Sequence, residues 1–353
     1  MKEKYSKLKF SSVKIIVLTI ILLSFIVLST KYYGSTDTGD YLDTAKFFTG
    51  NFQAKLRSSH SIVYGLMHSP FVKLTNSFII FKITSLLWLF LLILSAYYIS
   101  NKNKKTLLLF VTAPILWYMG PWASPIQLSS LLFLWGYFFI TKFNEKENLK
   151  HLIYSSLLIG LAWAFWDAII YFAIILAFCF LYNKKTIFFI IFFIFLFIGT
   201  LPKLIIDQIF FGFAFFSIFK HLFAEIASIS YGTIYGQTLL DSPMIDRIII
   251  LIFIPLFSFL LFKKQNFIKN KKTIIFLTLS IPFIFLNAQL RFFFLFAPIL
   301  ILILGEILNK KQIIIQILIF FVIGILVINP YLWQIKYETN TEEFSSLIKN
   351  FPN

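Results

Sequence analysis

Long runs of apolar residues alternate with short lysine clusters along the chain. A run of about 20 apolar residues is long enough to cross the hydrocarbon core of a bilayer as a helix. Several runs here are shorter, so we expect some helices to be short or broken. The pattern predicts an all-α polytopic membrane protein with about eleven transmembrane helices. The predicted spans are 13–30, 77–100, 106–119, 126–141, 151–165, 168–182, 186–202, 248–262, 273–287, 292–308 and 312–330.

The parity of this count depends on residues 151–182. Lys150 and Lys184 flank the stretch, so both of its ends belong to the same side. As a single helix it would be about 48 Å long, well beyond the hydrocarbon core. We therefore expect two helices that turn near Trp166 and Asp167.

The basic residues define the sides of the membrane. Twenty lysines fall in the N-terminus and in alternate short loops, whereas the other loops hold eleven of the fifteen acidic residues and all three arginines. Cytoplasmic loops of membrane proteins are enriched in Lys and Arg. We therefore expect a multi-pass cell-membrane protein with a cytoplasmic N-terminus and an external C-terminus, and any chemistry on the external face.

Composition supports the membrane class. Of the 353 residues, 59% are hydrophobic and 13% are charged, about half the charged share of a soluble domain. The net charge of +17 is explained by the lysine-rich inner loops, so it does not indicate nucleic-acid binding. The single cysteine, Cys179, excludes a disulfide framework and a cysteine-based metal cluster.

Two connections are long, 31–76 and 203–247, and both are predicted to be external. Long ordered loops on one side of a membrane protein are usually functional. The tail after Pro330 is too short for a core, so we expect a single integral-membrane domain over 1–353 with no separate soluble domain.

The first long loop predicts an amphipathic helix. Ser35, Thr36 or Asp37 can cap its start, and Gly50 can end it. The predicted apolar stripe, which would lie on the outer membrane surface, is Tyr41, Ala45, Phe48 and Phe52. The polar residues expected mostly away from it are Asp40, Asp43, Thr44 and Lys46. Two roles are open for Asp37: it is either a helix-capping residue only or a catalytic residue.

This loop resembles the first external loop of the GT-C superfamily, the polytopic glycosyltransferases that use polyprenyl-phosphate sugars. Many members have Asp-x-x-x-Tyr-x-x-x-Ala, then Gly, Arg and an aromatic/Pro stretch. The matching residues here, in order, are Asp37, Tyr41, Ala45, Gly50, Arg57, Tyr64 and Pro70. The chain departs from the family by having Thr38 after the first aspartate and His60 where members often have Pro-Gly.

Two later segments are also similar to that family. Residues 202–212 resemble its loop after the seventh span, where a polar residue precedes Phe-Gly, and 287–300 resemble its late segment with Arg, aromatic residues and Pro. Each motif is weak alone, but the motifs occur in the family's order and spacing and on the same predicted side of the membrane. Their combination is therefore more specific than any one of them.

The resemblance implies transfer of a sugar from an isoprenyl-phosphate or pyrophosphate donor to a hydroxyl on a glycan, lipid or protein. It implies Asp37 as the catalytic base, with Asp40 as the substitute. Accessory candidates are Tyr41, His60 and Asp207. No cofactor is required, and a divalent metal is unsupported because His60 and His68 lack a metal-ligand spacing.

The donor phosphate would be held by arginine, whose planar guanidinium binds phosphate through two hydrogen bonds. The candidates are Arg291, Arg57 and Arg247, which could instead extend to lipid headgroups. Lys82 is likewise expected to extend its charged end to the membrane surface, an arrangement called snorkelling. Asp207 could instead cap a helix, and Asp167 could mark a polar turn.

Two other functions stay open. One is a transporter or flippase for a lipid-linked or anionic solute. Such a protein would need polar groups at mid-membrane. In this sequence the polar groups lie mostly at the outer ends of the predicted spans. The other is an O-antigen-type polysaccharide polymerase, although the large loop of those proteins falls late in the chain.

Overall fold

The computed structural model describes residues 2–29, 37–54, 62–75, 79–120, 122–230, 264–286 and 290–332. Within these ranges the regular elements are all α-helices, so the all-helical prediction is confirmed there. The helices are α1 (Lys2–Ser29), α2 (Asp37–Phe48), α3 (Ile62–Thr75), α4 (Ile79–Ile99), α5 (Lys104–Thr112), α6 (Pro114–Met119), α7 (Ile126–Lys146), α8 (Leu149–Phe165), α9 (Ile169–Leu181), α10 (Thr186–Phe211), α11 (Phe216–Ser230), α12 (Lys264–Leu286), α13 (Leu290–Ile307) and α14 (Lys310–Leu332).

The chain divides into two compact units. Unit 1 contains residues 1–127 and 308–353, and unit 2 contains residues 128–307. In unit 1, α14 packs on α5 and α6, α1 packs on α4, and α2 packs on α3. In unit 2, α8 packs on α10 and α12 packs on α9.

Three described helices, α4, α7 and α10, are long and apolar enough to cross a membrane. Shorter apolar helices occur at Ser12–Leu28, Leu149–Phe165, Ile169–Leu181 and Phe292–Ile307. These helices are compatible with a membrane protein, whereas the count of eleven crossings and the orientation of the termini remain predictions. The predicted span 248–262 lies outside the described residues.

The predicted span 106–119 is broken, as its short length led us to expect. The break lies at Ala113, whose extended backbone (φ −61°, ψ 122°) separates α5 from α6. Pro114 follows as the first residue of α6, where its missing N–H costs little. Trp117 Nε1 donates to the Val111 carbonyl at 2.9 Å. This bond gives a partner to the Val111 carbonyl, which the break at Ala113 deprives of its hydrogen bond within the helix.

In unit 2, α8 and α10 run in the same direction in close contact. Thr200 Oγ1 donates to the Gly160 carbonyl at 3.1 Å, in the second half of both helices. Beyond the end of α8, Asp167 forms an ion pair with Lys203, which lies later in α10. Before the two helices begin, Glu147 pairs with Lys184. The intervening α9 must therefore return the chain, so the predicted turn near Trp166 and Asp167 is confirmed.

The close approach of α8 and α10 depends on two glycines. A Cβ on Gly160 would lie 2.0 Å from the Leu196 carbonyl oxygen, and one on Gly199 would lie 2.3 Å from that of Leu157. Small residues at such contacts let helix backbones approach closely, as is common where helices associate in membranes.

Candidate functional site

Helix α2 follows the predicted boundaries. It begins at Asp37 and ends at Phe48, and Gly50 then turns the chain with φ of +99°. A positive φ of this kind is readily adopted by glycine, which explains why the helix stops there.

The predicted stripe on α2 is partly wrong. Asp40 and Thr44, expected away from the apolar face, are only 7% and 2% exposed, whereas Phe52 lies beyond the helix and is 76% exposed. The reason is that α3 covers α2: a Cβ on Gly65 of α3 would lie 2.6 Å from Thr44 Cβ. Thus α2 is buried over a wide face that includes polar side chains.

Aromatic and hydroxyl side chains connect α2, α3 and α4. The ring of Tyr41 meets that of Tyr64 edge to face, with centroids 5.1 Å apart. Tyr64 contacts His68 at 4.4 Å, and His68 stacks on Phe81 at 4.3 Å. Because Tyr41 follows Asp40 in the chain, these contacts hold the part of α2 that carries the candidate carboxylate.

His68 is fully buried, and both of its ring nitrogens have partners. Nδ1 lies 2.8 Å from the Tyr64 carbonyl oxygen, and Nε2 lies 2.7 Å from Thr84 Oγ1. The carbonyl can only accept, so Nδ1 carries the proton and, in neutral His68, Nε2 accepts from the Thr84 hydroxyl. Burial lowers the pKa of His68 to about 4, against the opposing effect of the Tyr64 carbonyl. His68 is therefore neutral near pH 7.

Lys82, on the first turn of α4, lies in a different environment from the one that the sequence predicted. Snorkelling is the wrong interpretation, because Lys82 is 1% exposed and its Nζ donates to the Val27 carbonyl at 3.1 Å. Val27 lies near the end of α1, shortly before α2 begins. Burying a lysine costs free energy unless its charge is paired or hydrogen-bonded. A charge inside a predicted span was the available signal for such a buried group.

Unit 2 has its own buried polar cluster. Asp207 Oδ2 accepts from the backbone N–H of Ser217 at 2.9 Å and from its hydroxyl at 2.6 Å. Asp207 also lies close enough to Lys203 and Asp167 to interact electrostatically with both. All four side chains are buried, with exposed fractions of 1% to 7%.

Asp207 lies on a helix, not in a loop as the predicted boundary at 202 implied. Helix α10 continues through Pro202 to Phe211 and stops at Gly212, whose φ is +71°. The Asp207 carboxylate then caps the first turn of α11 through Ser217. The proposed capping role of Asp207 is therefore confirmed.

The start of α13 lies at the same end of unit 2 as this cluster. Phe292 contacts Trp166 at 5.4 Å between ring centroids, and Trp166 directly precedes Asp167. Arg291 precedes Phe292 in the first turn of α13, although its side chain lies outside the described part of the structure.

The structure thus places Asp40 and Tyr41 in unit 1 and Asp207 in unit 2. Asp37 is described only as the first residue of α2, and Arg57, His60 and Arg247 lie outside the described residues. The predicted phosphate-binding set therefore stays a prediction. Within the described ranges, no group of three or more His, Cys, Asp or Glu residues is placed to hold a metal ion.

No known protein-family model matches this chain, and a search of curated proteins returned no match. What the described residues define is an all-helical protein with helices able to span a membrane and a buried polar cluster in each of its two units.

Proposed function

We propose that the chain is a membrane glycosyltransferase. It moves a sugar from an isoprenyl-phosphate or pyrophosphate donor to a hydroxyl acceptor on the outer face of the membrane. The observation that carries this proposal is the burial of Asp40 on α2, a helix that directly follows the first apolar helix. Charged side chains are seldom fully buried in proteins, so a buried carboxylate is a candidate for a functional group.

Transfer to a hydroxyl needs a base that takes the proton of the acceptor. We assign this role to Asp37, with Asp40, one helical turn later, as the substitute. The acceptor oxygen then forms a bond to the anomeric carbon as the bond from that carbon to the phosphate oxygen breaks. The electron pair leaves with the phosphate, and the anomeric centre is inverted. No general acid is needed, because phosphate is a good leaving group.

The departing phosphate needs positive charge to stabilise it. Arg291, Arg57 and Arg247 are the proposed donors. Lys82 is a further cation in the unit that contains α2, and its burial means that a nearby phosphate would be only weakly screened.

The direct test is incubation of the purified chain in detergent with a panel of isoprenyl-phosphate sugars and hydroxyl acceptors. We expect transfer by the wild type and a loss of at least about 100-fold in Asp37→Asn or in Asp40→Asn. Asn caps a helix as well as Asp does, so a pure capping residue would tolerate the change. Asp43→Asn on the same helix is the matched control, and it should keep near-normal turnover.

Wild-type turnover in both Asp37→Asn and Asp40→Asn would contradict the assigned base. Absence of transfer with every donor in the panel would contradict the proposed function itself.

A transporter is the second candidate function. The observation that favours it is that α10, a helix long enough to span a membrane, carries buried Lys203 and Asp207. Buried charges on a membrane helix are a common feature of substrate and ion pathways. Transfer activity in detergent separates the two functions, because no vectorial transport can occur there.

A further inference from the structure

Three lysine side chains surround one glutamate at the end of unit 2 that is predicted to be cytoplasmic. Lys184 forms an ion pair with Glu147, and Lys185 interacts electrostatically with the same carboxylate. Lys272, on α12, lies close enough to Lys184 for the two ammonium groups to repel each other. We call these four residues the unit 2 lysine cluster. With all four side chains ionised, the cluster has a formal charge of +2.

Lys272 is held within the cluster by contacts with two other helices. Its Nζ donates to Asn144 Oδ1 on α7 and to the Phe180 carbonyl near the end of α9, the latter at 3.0 Å. Partial burial lowers the pKa of Lys272, and the Lys184 ammonium lowers it further. The packing of three helices therefore keeps two like charges close together. This proximity costs free energy, which a bound anion would offset.

A role in membrane orientation does not account for this arrangement. Cytoplasmic lysines set the orientation through their positions along the chain, so they need no contacts with one another. A lysine with that role alone would extend its ammonium into water, away from other cations. Lys142, on α7 of the same unit, differs from the cluster because it pairs with Glu145 at 2.9 Å and so has a carboxylate of its own.

Exposed apolar side chains begin directly beside the cluster. Tyr182 is 76% exposed, and Ile187, Ile190 and Ile194 form a stripe along α10 in which each residue is about half exposed. Because α10 is long and apolar enough to cross a membrane, we expect this stripe to contact acyl chains. Tyrosine is enriched at the level of the lipid headgroups. These neighbours therefore place the lysines at the level where headgroup phosphates lie.

We propose that the unit 2 lysine cluster binds the headgroup of an anionic phospholipid on the predicted cytoplasmic side. Its phosphate accepts hydrogen bonds from the lysines, and its acyl chains lie along the isoleucine stripe of α10. Lysine groups just cytoplasmic to a membrane helix, and basic sites between helices on that side, bind anionic headgroups in this way. A zwitterionic headgroup carries a cation of its own, which the lysines would repel. This inference does not rest on the proposed transferase function.

The test compares the binding of two lipids to the full chain in detergent, with native mass spectrometry to count the bound molecules. Dioleoyl phosphatidylglycerol and dioleoyl phosphatidylcholine have the same acyl chains, so a preference reports the headgroup. We expect phosphatidylglycerol to bind about tenfold more tightly. Lys185→Gln removes one charge at an exposed position, so the fold should be unchanged, and phosphatidylglycerol binding should weaken roughly fivefold.

Lys142→Gln is the matched control. It removes the same charge from a lysine of the same unit and the same predicted side, but one that Glu145 already balances. This variant should bind phosphatidylglycerol like the wild type. Excess inorganic phosphate should not displace the lipid, because free phosphate lacks the acyl chains that contact α10.

The inference is overturned if the wild type binds the two lipids equally, or if Lys185→Gln binds phosphatidylglycerol as tightly as the wild type. Equal losses in Lys185→Gln and Lys142→Gln would also overturn it, because they would indicate a general attraction to the basic surface. Displacement by inorganic phosphate would show a site for a free anion instead of a lipid.

Discussion

The contact between α8 and α10 makes a strong prediction for Gly160→Ala. The new Cβ would lie 2.0 Å from the Leu196 carbonyl oxygen, against 3.4 Å for ordinary contact, so the helices must separate by roughly 1.4 Å. Overpacking of this kind costs about 1–3 kcal/mol. The Thr200 hydrogen bond to the Gly160 carbonyl adds about 1 kcal/mol if it is lost. We expect a destabilisation of about 2–4 kcal/mol.

The assay uses the single cysteine. Cys179 is half-buried in α9, so a thiol-reactive dye reports the unfolding of unit 2 in detergent as denaturant is added. The matched control is Gly324→Ala, a helical glycine of unit 1 whose Cβ would meet Trp117 at 3.8 Å. This change should leave the Cys179 transition in place. A Gly160→Ala transition equal to that of the wild type would refute the close contact.

Three further predictions follow from the site and the topology. Arg291→Lys should weaken donor use by about 1–3 kcal/mol if the guanidinium binds phosphate through two hydrogen bonds, and activity within twofold of wild type at limiting donor would refute that role. The low pKa of buried His68 means that the unfolded state binds a proton more readily, so stability should fall as the pH drops from 6.5 to about 4. His68→Asn should be less stable at pH 7 and should lose this part of the slope, measured as thermal midpoint against pH. Reporter fusions at residues 104, 184 and 267 should be cytoplasmic and one at 345 external, and a reversed result at 184 or 345 would contradict the predicted parity.

Local signals in the sequence predicted much of the fold. The bounds of α2 follow from a capping residue and Gly50, and the turn at Trp166 follows from the lysines on either side of it. The break at Ala113 agrees with the short apolar run that contains Pro114. These features depend on neighbours in sequence, so they can be read without the fold.

The predictions that failed depended on distant contacts. The burial of Asp40 and Thr44 results from the packing of α3 against α2, and nothing in residues 37–50 encodes that partner. Buried Lys82 donates a hydrogen bond to the Val27 carbonyl, 55 residues earlier in the chain. Pro202 was interpreted as the end of a span, but α10 continues through it. Prolines inside membrane helices are tolerated because neighbouring groups satisfy the freed carbonyls.

The parallel pairing of α8 with α10 also has a consequence for biosynthesis. Gly160 and Thr200 are 40 residues apart, and Asp167 and Lys203 are 36 apart. At roughly 5–20 residues per second, α8 emerges from the ribosome about 2–8 s before its partner helix. During that interval the Asp167 carboxylate lacks its ammonium, and the glycine face of α8 lacks the helix that covers it. The nascent α8–α9 hairpin therefore exposes a carboxylate and a helix face that a chaperone or the translocon would have to cover.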